Sequence, residues 1–204
     1  LRRVSRFEQW RLLLLFAAFL RQDESMIGKG LISRMKRMGS VVRFFLTKGN
    51  LRDFGLPHPD ADLSPKVLFS MPVSNGKALD WSLYTDLIKI KLQTWHFMGG
   101  INFNMSFFDG MRSLLITFPL VMAAAKWSAI VRTIGETGSQ PECVEILEED
   151  IDYAVGAIDH SFGRSQFLQL GIFPMVMRQL AEPHASMRLL KAMLGPQIDT
   201  QSAN

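Results

Sequence analysis

From Met111 to Val131 apolar residues dominate with no polar stripe of helical period. A helix that is apolar on nearly every side must be wrapped by other elements. Ser106, followed three residues later by Asp109, forms an N-cap pair just ahead of the run, so the pattern predicts a central helix over 107–134. Pro119 lacks an N–H and its ring crowds the Leu115 carbonyl, which predicts a kink near 115–119. Arg112 and Lys126 bound an uncharged stretch of 13 residues, 113–125. A membrane span needs about 20, so the run is expected to be a core helix and no transmembrane span is expected.

The other segments follow the same logic. A first helix is expected from Val4 to Arg21, apolar all round over LLLLFAAFL. That core has the length of a signal-peptide apolar region and basic residues precede it, but FAAFLRQDES offers no small-x-small cleavage site. Two readings stay open: a buried helix, or an interfacial or targeting helix. Ser25 can cap a second helix to Lys48, closed by Gly49-Asn50, with Ile27, Leu31, Met35, Met38, Val42 and Phe45 facing inward.

Pro57, Pro59, Pro65 and Pro72 with Asn75-Gly76 mark 51–79 as a connecting segment draped outside the core, with KVLFSMPV a short extended piece. Asp80 is expected to cap a helix to Met98, burying Tyr84, Leu87, Ile88, Leu92 and Trp95 and ending at Gly99-Gly100.

After the central helix, ETGSQPE is a turn and CVEIL a brief extended piece. Glu148, Glu149 and Asp150 open a helix to Phe162, suited to its positive end, with Ile151, Ala154, Val155, Ile158 and Phe162 as its apolar stripe. Two short helices follow. Pro183 starts the last and Gly195-Pro196 ends it, while Met175, Met177, Met187 and Met193 suit an adaptable partner groove as well as the core, and core is the safer reading. The sum is an all-α fold, an irregular bundle of about six or seven helices around a proline-kinked apolar helix. Residues 1–204 form one domain: a basic hairpin at 1–50, the connecting segment 51–79, a helical core at 80–196 and a polar tail at 197–204.

Composition agrees: 48% hydrophobic and 10% aromatic residues suffice for a sizeable core. Cys143 alone excludes an internal disulfide framework and a cysteine-only metal site within this polypeptide, and a free thiol fits a reduced, cytoplasmic setting. A first residue of Leu1 leaves open a processed chain, an alternative start or a fragment of a longer protein.

Charge adds an asymmetry. Residues 1–52 hold 12 basic against 3 acidic side chains, net +9, which leaves −5 for the rest of a chain whose total is +4. Lys29, Arg34, Lys36, Arg37 and Arg43 would line the outer face of the second helix, a surface for an anionic partner such as nucleic acid or an anionic membrane, or simply a solvated face. The acidic residues of 136–159 offer a complementary block, so a protein partner or a homo-oligomer is expected.

Candidate chemistry is sparse. Trp95, His96, Asn102, Asn104 and Asp109 gather around Gly99-Gly100 and form the one candidate pocket, although two glycines ending one helix and Ser106 starting the next explain the same residues without a ligand. No G-x-S-x-G, Walker loop, G-x-G-x-x-G or H-E-x-x-H is present, and His58, His96, His160 and His184 fall in four segments. Asp152, Asp159 and His160 share the acidic helix without metal-ligand spacing. No cofactor and no metal are expected, and catalytic residues are not identified.

The run FNMSFFDGMRSLLITFPLVMAAAKWSA followed by EEDIDYAVGAIDHSFGRS resembles the helical C-terminal portion of cysteine-cluster proteins of the flagellin lysine-N-methylase type, over residues 95–170. The resemblance implies a helical partner to a separate cluster domain that holds zinc or iron. Having only Cys143, the chain departs from the family where its metal sits, and no metal site or methyl transfer carries over. Two functions therefore compete: a non-catalytic helical interaction or scaffold module, and the helical portion of a metal-cluster protein whose cysteine-rich domain lies elsewhere.

Overall fold

The structure is a computed structural model that describes residues 5–20, 63, 67–74, 79–99, 105–161 and 172–194. Seven helices lie among them: α1 (Arg6–Leu20), α2 (Val67–Ser70), α3 (Ser82–Gln93), α4 (Phe107–Thr137), α5 (Glu148–Ser161), α6 (Ile172–Leu180) and α7 (Pro183–Leu194). Among the described residues the only extended pairings are two isolated bridges, so the fold is all-α. The expected second helix at 25–48, with its basic residues, and the polar tail at 197–204 lie outside the described residues.

Helix α4 organises the rest. Ser106 accepts the Asp109 N–H at 3.2 Å and donates its hydroxyl to the Asp109 carboxylate at 3.0 Å, as the capping pair requires. The helix runs unbroken through Pro119 and stops three residues beyond the expected end. There Gly138, at φ 70°, donates its N–H to the Ile134 carbonyl. Left-handed backbone of this kind is cheap for glycine and closes the last turn. α4 is long and apolar enough to cross a membrane by length and composition, yet it is packed against α5, α7, α1 and α6. Leu120 to Trp127, with Ala129, Ile130 and Ile134, are buried around its C-terminal half.

The partner helices supply the expected faces. α1 buries Leu12 to Phe16, and its start is a reciprocal box in which Ser5 accepts the Glu8 N–H and Glu8 accepts the Ser5 N–H. Arg188 of α7 also bonds Glu8, fastening the two helices. Burial raises the cost of charging Glu8, but those bonds together hold its carboxyl below the usual range. In α5 the stripe Ile151, Ala154, Val155 and Ile158 is buried as the period requires.

Several expectations change. Leu63, Val67, Leu68, Met71 and Val73 are core residues, so this part of 51–79 is not draped outside. Its VLFS is a helical turn rather than a strand, because Val67 and Leu68 both insert inward. Only Val73 is extended, pairing in parallel with Val144, where Ser74 N–H meets the Val144 carbonyl at 2.9 Å. In α3, Asp80 does not sit at the cap position: Trp81 does, while Asp80 accepts the Ser82 N–H and hydroxyl at 2.8 and 2.9 Å. Those two bonds hold Asp80 below its ordinary range.

α3 also ends at Gln93, and its buried face is Leu87 and Lys91 with Tyr84 and Ile88 beside them. Leu92 and Trp95 are exposed. Lys91 reaches Asp159 of α5 at 2.6 Å, so a lysine that was not among the expected inward residues lies on the buried face. Finally, Met175 and Met187 lie on the surface rather than in the core.

Part of the acidic block is matched by Arg132 among the described residues. Arg132 of α4 donates to the Asp150 carboxylate at 3.0 Å and the Glu145 carbonyl at 2.9 Å. Its Nε lies 3.3 Å from Glu149 without hydrogen-bond alignment, and Glu136 is 3.9 Å away. Burial opposes the Arg132 charge, but the Asp150 bond and the surrounding carboxylates raise its pKa further above its ordinary value. Asp150, itself buried, accepts the Leu147 N–H at 3.0 Å and so orders the start of α5.

Candidate functional site

Two features stand out around the N-terminal half of α4. The first is the corner where α3 turns into α4. Residues 94–97 wind off the end of α3 in a turn, with Trp95 at φ 57° and the His96 N–H reaching back to the Lys91 carbonyl at 3.1 Å. A left-handed conformation is uncommon for a tryptophan and turns its ring outward from the helix path. The ring lies 6.1 Å from Phe97 and 5.9 Å from Phe107, and Phe108 stands edge-on to Phe107 at 5.5 Å. Phe97 is buried and anchors the cluster. Its carbonyl passes so close to Gly110 that a Cβ there would lie 1.8 Å from the oxygen, which is why α4 carries a glycine at this crossing.

Three of the five residues expected to form a pocket fall in this corner. Trp95 is exposed and His96 half-buried. Asp109 is engaged by Ser106 and by Arg178 of α6 at 2.8 Å, a bond that ties α6 to the start of α4. Asn102 and Asn104 lie outside the described residues, as do Lys29, Arg34, Lys36, Arg37 and Arg43 of the expected anionic-partner surface.

The second feature is a groove of about 500 Å³ between α3, α4 and α7. Its walls are Tyr84 and Ile88 of α3, Leu115, Phe118 and Pro119 of α4, and Met187 and Leu190 of α7. The volume falls within the range of ligand and side-chain pockets. Pro119 shapes the floor: without an N–H it leaves the Leu115 carbonyl without its helical donor, and Leu115 is 49% exposed beside it.

One edge is fixed by a polar relay. Thr117 gives its hydroxyl proton to the Leu114 carbonyl at 2.6 Å, so at the 2.9 Å contact with Tyr84 the phenol donates. Burial pushes the Tyr84 pKa up, and the phenol stays neutral. Trp81 and Tyr84 both pack on Phe118, at 5.1 Å between centroids. On the α7 side the Ser186 hydroxyl is committed to the Leu180 carbonyl at 2.7 Å, and Lys89 at the rim is paired with Asp86 at 2.9 Å.

The polar groups of the groove thus serve the fold, and what its apolar walls can do is receive apolar groups. His96, His160 and His184 sit on separate elements, and Cys143 is an exposed thiol on the α4–α5 connection. Among the described residues no three His, Cys, Asp or Glu side chains gather as a metal-binding group.

The groove was not visible in the sequence. Tyr84 and Ile88 share a helical face, but nothing in the chain places that face opposite Met187, roughly a hundred residues on. The Ser5–Glu8 box was within reach, as S-x-x-E ahead of an apolar run. No protein-family model, curated protein or solved structure matches the chain. The resemblance to cysteine-cluster proteins rests on the sequence alone.

Proposed function

We propose that the chain is a non-catalytic helical interaction module that receives apolar side chains of a protein partner in the α3–α4–α7 groove. The observation that carries this reading is the groove itself: about 500 Å³ with apolar walls, in which Leu115 and Met187 are each about half exposed. Burying the exposed half of two such side chains contributes roughly 0.8–1.5 kcal/mol each, a usable part of an interface. The rigid Tyr84–Thr117 edge and the Pro119 floor support a preformed site, which lowers the ordering cost of binding.

A photo-crosslinker placed at Met187 tests it. The expected outcome is a specific crosslinked peptide, whose parent protein, once purified, binds the wild-type chain and loses about tenfold or more in affinity to Leu115→Glu. A partner that binds Leu115→Glu and the wild type equally would remove the groove from the interface.

A further inference from the structure

We propose that the exposed aromatic corner between α3 and α4 docks the protein onto an anionic lipid surface. Trp95 is 55% exposed, Phe107 41% and Phe108 74%, and Met111 one turn further on is 42% exposed. Scattered exposed apolar residues are normal, but here Trp95 and Phe108 both lie within 5.9 Å of Phe107, and the three rings share one corner. They are held in place from beneath by buried Phe97, whose backbone abuts Gly110.

Charge selects the occupant. Residues 87–108 contain no Asp or Glu, and the acids that bound this stretch are each engaged: Asp86 with Lys89, Asp109 with Arg178. Arg112 is exposed one turn into α4 and takes part in no ion pair among the described residues. An anionic bilayer attracts that exposed cation beside the rings, and no acid at the corner is left free to oppose it. Tryptophan and phenylalanine beside basic residues, without acids, is the combination that settles at the headgroup level. Affinity there grows with buried apolar area and with attraction to anionic lipid. This surface is separate from the groove, and either assignment can fail without the other.

The test is vesicle sedimentation of the full chain with phosphatidylcholine alone and with equimolar phosphatidylcholine and phosphatidylglycerol, together with tryptophan quenching by brominated lipid. The expected result is binding to the mixed vesicles, weak or no binding to phosphatidylcholine, and quenching that disappears in Trp95→Phe, which keeps a ring but removes the fluorophore. Phe108→Ser and Trp95→Ser should each weaken binding about tenfold. Leu147→Ser, an exposed apolar residue of the α4–α5 connection, should leave it unchanged.

Helical circular dichroism of each variant confirms that the folds are comparable. The proposal is overturned by wild-type protein that ignores both vesicles, or by binding that survives both corner substitutions. Binding without Trp95 quenching overturns it too, as does self-association that Phe108→Ser abolishes.

Discussion

The two halves of α4 are built from similar residues and meet different fates. From Leu120 to Ile134 the helix is enclosed by its neighbours, so that even Lys126 is buried. From Phe107 to Pro119 the same helix shows Phe107, Phe108, Met111 and Leu115 to solvent while Leu114, Ile116 and Pro119 face inward. Hydropathy does not separate the halves; burial does. An apolar helix thus carries two kinds of information: where it is enclosed it makes the core, and where enclosure stops it offers a surface.

The largest expected effect takes one aromatic from each half. Trp127→Ala removes a fully buried indole and should cost about 3–5 kcal/mol in urea unfolding. Phe108→Ala, at 74% exposure, should change stability by no more than about 0.5 kcal/mol. If the two costs were similar, the halves would not differ in the way their burial indicates.

Gly110 is the exception that sharpens the contrast, since it is a tightly constrained position within the open half. Gly110→Ala would gain about 1 kcal/mol in helix propensity. It must also displace the Phe97 carbonyl, and a net loss of about 2–3 kcal/mol is expected from thermal unfolding. A neutral or stabilised variant would show that the 94–99 turn yields freely.

Lys126 tests the closed half by charge. Burial lowers its pKa from 10.5 to about 8, so near neutral pH the folded chain holds a proton at a cost. Between about pH 8 and 10.5 the unfolded chain binds this proton more strongly than the folded one, and stability should rise with pH across that window. Lys126→Met should therefore compare more favourably with the wild type at pH 7 than at pH 10. Denaturation midpoints at pH 7 and pH 10 decide it; a gain independent of pH would mean that packing, not charge, is responsible.

These contrasts mark where the sequence was legible. The central helix, its Ser106–Asp109 cap, the α5 stripe and Pro183 as the start of α7 follow from local period and local chemistry, and the structure contains them. The face of α3 was misjudged because Lys91 reads as a surface residue until Asp159 is brought against it. VLFS was misjudged because Val67 and Phe69 favour strands, yet the four residues form one helical turn with Val67 and Leu68 in the core. Met187 and Met175 carry no local signal of exposure. The groove depends on α3 meeting α7 across α4, a juxtaposition no window of sequence contains. His96 and Asp109 lie in the corner as their spacing suggested, but the aromatic cluster there needed the turn at Trp95 to bring its ring to Phe107.

The smallest expected effect comes from two tyrosines that differ only in whether the hydroxyl is matched. Tyr84, at the open half, donates to Thr117 at 2.9 Å. Tyr153 of α5 has a buried hydroxyl with no hydrogen-bond partner among the described residues, and burial raises its pKa. A made hydrogen bond contributes about 1 kcal/mol net, whereas an unmatched buried hydroxyl costs at least as much as it returns. Tyr84→Phe should thus destabilise by about 1 kcal/mol, and Tyr153→Phe should be neutral or stabilising by up to about 1 kcal/mol, both read from urea midpoints at constant slope. Because the Tyr84 bond also fixes the groove edge, Tyr84→Phe should weaken the partner that crosslinks at Met187, and Tyr153→Phe should not. Equal stability changes in the two variants would mean that the Thr117 contact contributes nothing, and the groove would lose its rigid edge.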